Sequence, residues 1–356
     1  MKYGLLMTTS LNVGDDIQCL AAYRFLPQVD YLINRERTDE FDPDDPKVSL
    51  IMNHWWMWSK KHFPPSDKID PLYISFHLQY RLRNEKFLSE KVIKHLKKHE
   101  PIGCRDTGTA DFLNAHGIKA YFSGCMTTTL LPNPKLKKKY FSDYILCVNV
   151  PEKVEEEIRK RTNKEVICID RHQKVCFSYE EKLRLAKYTL FLYHNAHCVV
   201  TVALHAALPS TAFGTPVCVI SQDGIEATSR FEGLESCLNI VTEEQFINDP
   251  DCYDINNPPE NPDTYKKLAE DIACTCKSFT GFDSKEPILE DDYNPFAEIA
   301  KVMPYTKQSV YNALYFLPLK NLLKMCYLRK VRGEDRYGIE RSRACKDVDI
   351  LKRKSQ

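Results

Sequence analysis

Short apolar runs of strand length alternate with amphipathic stretches of helix length along most of this 356-residue chain. That alternation is the pattern of α/β units built on largely parallel sheets. Strands are expected over 3–8, 29–33, 48–52, 72–76, 102–104 and 119–122. The first helix is expected over 16–26, where Ile17, Leu20, Ala21 and Phe25 share helical spacing. Leu88, Val92, Ile93 and Leu96 mark a second helix face, and Phe112 with Leu113 a third, which Gly117 should close. After the basic, proline-bearing stretch 133–139, read as a linker, the pattern resumes. Strands are expected over 144–150, 166–170, 198–202 and 217–220, and helices over 152–160, 180–193, 204–213 and 262–274. Phe213-Gly214-Thr215-Pro216 is a strong stop, because glycine supplies a left-handed cap and proline cannot continue the helix.

At roughly 100–200 residues per domain, this length accommodates two such units. The division expected is 1–134 for an N-terminal Rossmann-like domain, 140–300 for a C-terminal one carrying donor-site loops, and 301–356 for an extension. Open parallel sheets bind ligands outside the carboxyl ends of their strands, so the strand-to-helix loops should carry function and face a cleft. In the extension, Val310, Leu314, Leu317, Leu322 and Leu328 are interrupted by Pro318, Lys320 and Lys324. Residues 329–356 hold ten Lys/Arg against five Asp/Glu. Two readings fit: a helix docked on the body with a frayed tail, or a peripheral contact with an anionic membrane.

Charge and cysteine usage limit the partners. Fifty Lys/Arg against 49 Asp/Glu leave a net charge of +1, so no bulk field draws nucleic acid, and any anion site must be local. Fourteen cysteines are spread over the chain without a Cys-x-x-Cys pair, the nearest being Cys274-x-Cys276, and no apolar leader opens the sequence. Reduced thiols in a cytoplasmic setting are expected. Dinucleotide, P-loop, zincin and α/β-hydrolase signatures are all missing. His194-x-x-His197 spans a helix end and a strand start, which suits no shared metal. Asp42-Pro43-Asp44 lies inside the acidic loop 39–45. No metal and no resident cofactor is expected.

Three strand-to-helix junctions carry polar residues that packing alone does not require. Asn12-Val13-Gly14-Asp15-Asp16 brings backbone amides to a helix N-terminus, although Asp15 or Asp16 there also fits simple capping. Gly103-Cys104-Arg105-Asp106 sets Arg105 just past a strand, where its fork suits phosphate or carboxylate unless Asp106 occupies it. Ala203-Leu204-His205-Ala206 opens a helix with His205 directly after a strand. An acid, an arginine and a histidine in an anion-binding cleft follow from these loops, without naming a substrate.

The same residues resemble the polysaccharide pyruvyl transferases. The landmarks are Asn12-Val13-Gly14-Asp15-Asp16-Ile17, then Gly103-Cys104-Arg105-Asp106 with Thr109, Leu113 and Gly117, then Leu204-His205-Ala206 leading into Phe213-Gly214-Thr215-Pro216. The resemblance implies an α/β fold of two Rossmann-like domains facing a cleft, similar to GT-B glycosyltransferases. It also implies transfer of an enolpyruvyl unit from phosphoenolpyruvate, a co-substrate, to two hydroxyls of a sugar or lipid-linked glycan. Carried onto this chain, Asp15 and His205 are the catalytic candidates, and which of them is the acid stays open. Arg105, His205, Asn12 and Gly14 would bind the donor. The arginine usual before the Leu-His pair is Ala203 here, and Arg230 is the candidate to reach the same space. Asp16, His54 and Trp55 are the acceptor candidates, the last two from the aromatic run 52–58 that stands where relatives often have a glycine-rich turn and that fits either stacking on a sugar ring or core and hinge packing. Two other classes compete: a GT-B type glycosyltransferase using a nucleotide sugar, with Glu226 or Glu232 on its ribose, and a non-catalytic relative that binds a glycan precursor.

Overall fold

The computed structural model describes residues 1–45, 47–56, 62–84, 87–136, 143–172, 178–224, 228–302, 342–345 and 349–351. The N-terminal unit runs β1 (Lys2–Met7), α1 (Val13–Tyr23), β2 (Tyr31–Asn34), β3 (Val48–Met52), β4 (Trp55–Trp56), β5 (Ile69–Tyr73), β6 (His77–Leu78), α2 (Glu90–Lys98), β7 (Ile102–Cys104), α3 (Thr107–Ala115) and β8 (Ala120–Phe122). The C-terminal unit runs β9 (Tyr144–Val148), α4 (Glu152–Arg161), β10 (Glu165–Ile169), α5 (Tyr179–Asn195), β11 (Cys198–Thr201), α6 (Leu204–Ala212), β12 (Val217–Ser221), β13 (Asn239–Thr242) and α7 (Glu243–Asn248). Then follow α8 (Tyr265–Thr280), α9 (Pro295–Val302) and β14 (Arg343–Ala344).

Each unit is built on a five-stranded sheet, in the orders β14-β2-β1-β3-β5 and β10-β9-β11-β12-β13. All pairings in these two sheets are parallel except β14 on β2. Central strands buried on both faces read as unbroken apolar runs. Tyr144–Val148 is buried at all five positions and β1 at all but Lys2. Burying a Leu or Met side chain of such a strand contributes roughly 1.5–3 kcal/mol. The α/β class with two Rossmann-like units facing a cleft is therefore the architecture of this chain.

Several elements depart from their sequence reading for local reasons. Helix α1 starts at Val13, because the Asn12 side chain, and neither Asp15 nor Asp16, accepts from the Gly14 amide at 3.0 Å and caps it. The strand expected over 72–76 is β5, shifted to Ile69–Tyr73. Stretch 133–139 begins as an anchored corner, with Leu136 buried and Asn133 Nδ2 donating to Leu289 O and Asp291. Helix α8 runs six residues beyond its expected end and packs back on the N-terminal unit, where Tyr3 donates to Thr280 O and Arg24 pairs with Asp283 at 2.9 Å. The helix stop after α6 is as read: Gly214 adopts φ +69°.

Of the extension, residues 342–345 and 349–351 are described. Cys345 N donates to Asp30 O, Asn34 N donates to the Ser342 hydroxyl, and Tyr23 donates to Leu351 O at 2.6 Å. The 310–328 stretch read for membrane contact lies outside the described residues. Among the described residues, no helix is long and apolar enough to cross a membrane.

Candidate active site

The carboxyl ends of both sheets open on one cleft of about 380 Å3, lined by Asn12, Asp15, Arg105, Arg171, His205 and Arg230 together with Ser10, Leu11, Gln79, His172 and Leu204. Loop geometry ties its two sides together. Asn12 bridges to His172, and Val13 N donates to Arg171 O at 3.0 Å. Behind this seam α1 packs on α5, where Lys182 pairs with Asp16 at 3.2 Å and also donates to Ser10 O.

Asp15 occupies the first turn of α1, 5% exposed, with a carboxylate oxygen 3.4 Å from Nη1 of the wholly buried Arg35. Burial alone would raise its pKa; Arg35, the Ser10 hydroxyl and the nearby His205 and His54 rings outweigh that and hold it below the ordinary value. Asp15 is thus a carboxylate. His205 opens α6 in a non-helical conformation, φ −86° and ψ 16°, and its Nε2 is buried with no hydrogen-bond partner among the described residues. Burial first, then Arg105 and Arg171, push its pKa well down, against the opposing pull of Asp15, so the ring is neutral. The approach of these two elements explains Gly14. A Cβ there would meet His205 Cβ at 2.9 Å and Nδ1 at 3.2 Å, so the glycine makes room for the histidine.

Arg105 follows β7 and is 3% exposed, its Nε without a partner among the described residues. The Arg105–Asp106 pairing that the sequence allowed does not form. Asp106 instead caps α3 through Thr109 N at 2.8 Å and takes bonds from His77 at 2.5 Å and Arg83 at 2.6 Å. Burial opposes the Asp106 charge, but His77, Arg105 and Arg83 prevail and hold its pKa at about 2. Arg230 faces the same cleft, and Arg105 and Arg171 are both destabilised as cations by burial and by Arg230. None of these three guanidiniums has an ion-pair partner among the described residues. Ala203 is buried, and its amide bonds Thr201 Oγ1 at 2.9 Å.

Arg171 was missed in the sequence. Its signal is position: Asp170-Arg171-His172 directly follows a strand, at the end where ligands bind. Asn149 holds the loop in place. It adopts φ +55°, donates to Asp170 Oδ1 at 2.8 Å and accepts from the Arg171 amide at 3.0 Å.

The acceptor candidates do not share this surface. Asp16 is wholly buried against Lys182 and Thr8, and burial raises its pKa to about 6 against the pull of Lys182. His54 is also wholly buried, its Nε2 3.6 Å from Cys19 Sγ, and burial followed by Arg35 lowers its pKa to about 3. Both are turned into the core because α1 and β3 meet there, so neither touches a ligand in the cleft. Trp55 lies in β4, and its side chain is outside the described residues. Of the two ribose candidates, Glu226 lies outside the described residues, while Glu232 pairs with Arg83 at 2.9 Å. His194 and His197 bond separately, to Asn133 N and Asn256 O. Among the described residues, Asp39, Glu40 and His62 have metal-ligand spacing, but His62 already pairs with Asp39 at 2.9 Å.

Among solved structures the chain is similar to a UDP-N-acetylglucosamine 2-epimerase, at 13% identity and a TM-score of 0.41, covering 81% of this chain and 98% of that one. It is also similar to the Methanocaldococcus jannaschii UDP-GlcNAc 2-epimerase in complex with UDP-GlcNAc and UDP, at 12% identity and a TM-score of 0.42, covering 78% and 100%. A third is the S. aureus MnaA–UDP structure, at 12%, 0.42, 81% and 99%. No curated protein sequence matches the chain. Residues 74–224 match the family model of polysaccharide pyruvyl transferase. Over that segment, which holds Arg105, Arg171 and His205, the chain carries the pattern of the polysaccharide pyruvyl transferase family.

Proposed function

We propose that this protein is a pyruvyl transferase that moves an enolpyruvyl unit from phosphoenolpyruvate onto two hydroxyls of a sugar, forming a cyclic ketal in polysaccharide or glycan-precursor biosynthesis. One observation carries the reading: three guanidiniums without ion-pair partners among the described residues converge with Asp15 and His205 in one cleft. The donor offers a phosphate and a carboxylate, the anions that arginine forks recognise. Arg105 and His205 hold it with Arg230, and Arg171 joins them in place of the arginine that Ala203 lacks. Asn12 and Gly14 shape the wall beside His205.

The protonation states divide the work. Arrival of the donor phosphate beside His205 favours the imidazolium, and that proton then passes to the methylene carbon of the donor. The resulting cation at the central carbon is attacked by a first sugar hydroxyl, whose proton Asp15 accepts. Attack by the second hydroxyl, whose proton passes to the now neutral His205, breaks the bond to the phosphate oxygen, expels phosphate and closes the ketal. The arginines that bound the phosphate stabilise it as it leaves.

The test is thermal unfolding with phosphoenolpyruvate, run beside UDP-sugars. A ligand at about 100 times its Kd should stabilise by roughly 2.7 kcal/mol. The reading stands if phosphoenolpyruvate stabilises the protein and Arg105→Ala abolishes the shift. Stabilisation by the nucleotide sugars alone overturns it in favour of a glycosyltransferase.

A further inference from the structure

A second chamber of about 390 Å3 adjoins the cleft in the C-terminal unit, and Arg171 and Arg230 form the wall between the two. Its floor is the carboxyl ends of β11, β12 and β13, the end of a parallel sheet where ligands settle. The lining is unlike that of the cleft. Aliphatic side chains of the sheet and the Phe231 ring supply apolar surface, while Ser221, Gln222 and Glu235 supply an hydroxyl, an amide and a carboxylate. None of these three polar side chains has a partner among the described residues.

We propose that this chamber is a neutral-sugar site, which holds the part of the acceptor glycan next to the residue that receives the pyruvyl unit. The inference rests on the donor reading of the cleft. An aromatic ring beside a carboxylate and an amide suits a pyranose, which presents an apolar C–H face and a ring of hydroxyls. Glu235 accepts from a vicinal diol, Gln222 both donates and accepts, and Phe231 covers the apolar face. A diphosphate fits worse. It would compete with the donor for Arg171 and Arg230 and would lie near the Glu235 carboxylate, with like charges costing affinity. The placement also resolves where the acceptor goes. Asp16 and His54 are sealed in the core, whereas this chamber opens on the donor across a shared wall.

Saturation-transfer NMR on the full chain, with and without phosphoenolpyruvate, tests the assignment. The probes are methyl glycosides of the common hexoses and N-acetylhexosamines, lactose and cellobiose, with UDP as the anionic counter-probe. The expected result is that at least one saccharide gives a signal that persists or grows with phosphoenolpyruvate and drops at least fivefold in Glu235→Ala. Glu235→Gln should show a smaller drop, because it keeps a hydrogen-bonding oxygen. Silence from every saccharide at 10-fold above the concentration at which phosphoenolpyruvate saturates overturns the proposal. So does a UDP signal that Glu235→Ala removes, since that makes the chamber a nucleoside site. Failure of the donor reading is separately visible, as absence of any thermal shift with phosphoenolpyruvate in the unmutated protein.

Discussion

Replacing Arg35 by methionine isolates what holds Asp15 ionised. Arg35 has no exposed side-chain surface and lies 3.4 Å from a carboxylate that is itself 8% exposed. Its other carboxylate partner, Glu36 at 2.5 Å, is 19% exposed and recovers solvation more easily. Removing one member of a buried pair strands the other charge and typically costs about 3–5 kcal/mol. With an unfolding entropy near 2.1 cal/mol/K per residue, each kcal/mol moves Tm by roughly 1.3 °C in a chain this long, so Arg35→Met should lose about 4–7 °C at pH 7. The sign with pH is diagnostic. In the native protein the Asp15 pKa is depressed, so its stabilisation is in place above the unfolded value near 3.8 and fades only as pH falls through the lower folded value. In Arg35→Met, the largest influence opposing burial is gone, leaving the Ser10 hydroxyl and the His205 and His54 rings, and the folded pKa rises. The penalty is then absent at low pH and grows as pH rises through that raised value. Melting curves from pH 4.5 to 8 should show the gap between Arg35→Met and the native protein narrowing on acidification, and Asp15→Asn in the Arg35→Met background should restore most of the loss. A gap constant across pH, or a double variant as unstable as the single one, refutes the pairing as the source of the Asp15 charge.

Other expectations follow from neighbouring contacts. Phosphoenolpyruvate binding at pH 7 should take up a substantial fraction of one proton, read as a buffer-dependent heat in calorimetry, and His205→Gln should remove that dependence. Gly14→Ala should weaken phosphoenolpyruvate binding at least tenfold while costing roughly 1–3 kcal/mol of stability, because its Cβ displaces His205. Asp106→Asn should cost roughly 2 kcal/mol at pH 7, since it removes the ionised cap that His77 and Arg83 bond while Glu232 still pairs with Arg83; the loss should shrink as pH falls from the ordinary carboxyl value to about 2, where the native carboxylate is itself protonated. Asp16, raised to about 6, gives the opposite slope: native stability falls between pH 4 and 6 as this buried acid ionises, and Asp16→Asn should flatten that slope.

What the sequence disclosed follows what its local physics determines. Strands buried on both faces announce themselves as apolar runs, and Gly214 before Pro216 fixes a helix end without tertiary help. Edge elements carry weaker signals: β13 and β14 are short and half-exposed or exposed, and β14 is stabilised by pairing with β2 at the other end of the chain. For the cleft, Asp15, Arg105, His205 and Arg230 were legible because each lies in a loop after a candidate strand. Arg171 has the same placement but stands between an aspartate and a histidine, in a run that reads as a solvated turn. Asp16 and His54 show the converse limit. Asp16 adjoins Asp15 in sequence and His54 follows a strand, but the direction of each side chain depends on a residue distant from it in sequence, Lys182 for Asp16 and Cys19 for His54.

The cleft gathers like charges that its own side chains do not neutralise. Burial destabilises the charges of Arg105 and Arg171, and Arg230 adds like-charge repulsion to both. A fold selected for stability alone would place a carboxylate among these guanidiniums, as it does for Arg83 between Asp106 and Glu232. Here the acid in the lining, Asp15, is instead paired with Arg35. The missing counter-charge must come from outside, and a ligand with two separate anionic groups satisfies more of the cleft than one with a single phosphate. Inorganic phosphate should therefore stabilise the protein less than phosphoenolpyruvate at equal saturation of its own site, and lactate or pyruvate less again. If phosphate alone reproduced the whole shift, the carboxylate of the donor would have no partner in this cleft and the roles of the arginines would need to be reassigned.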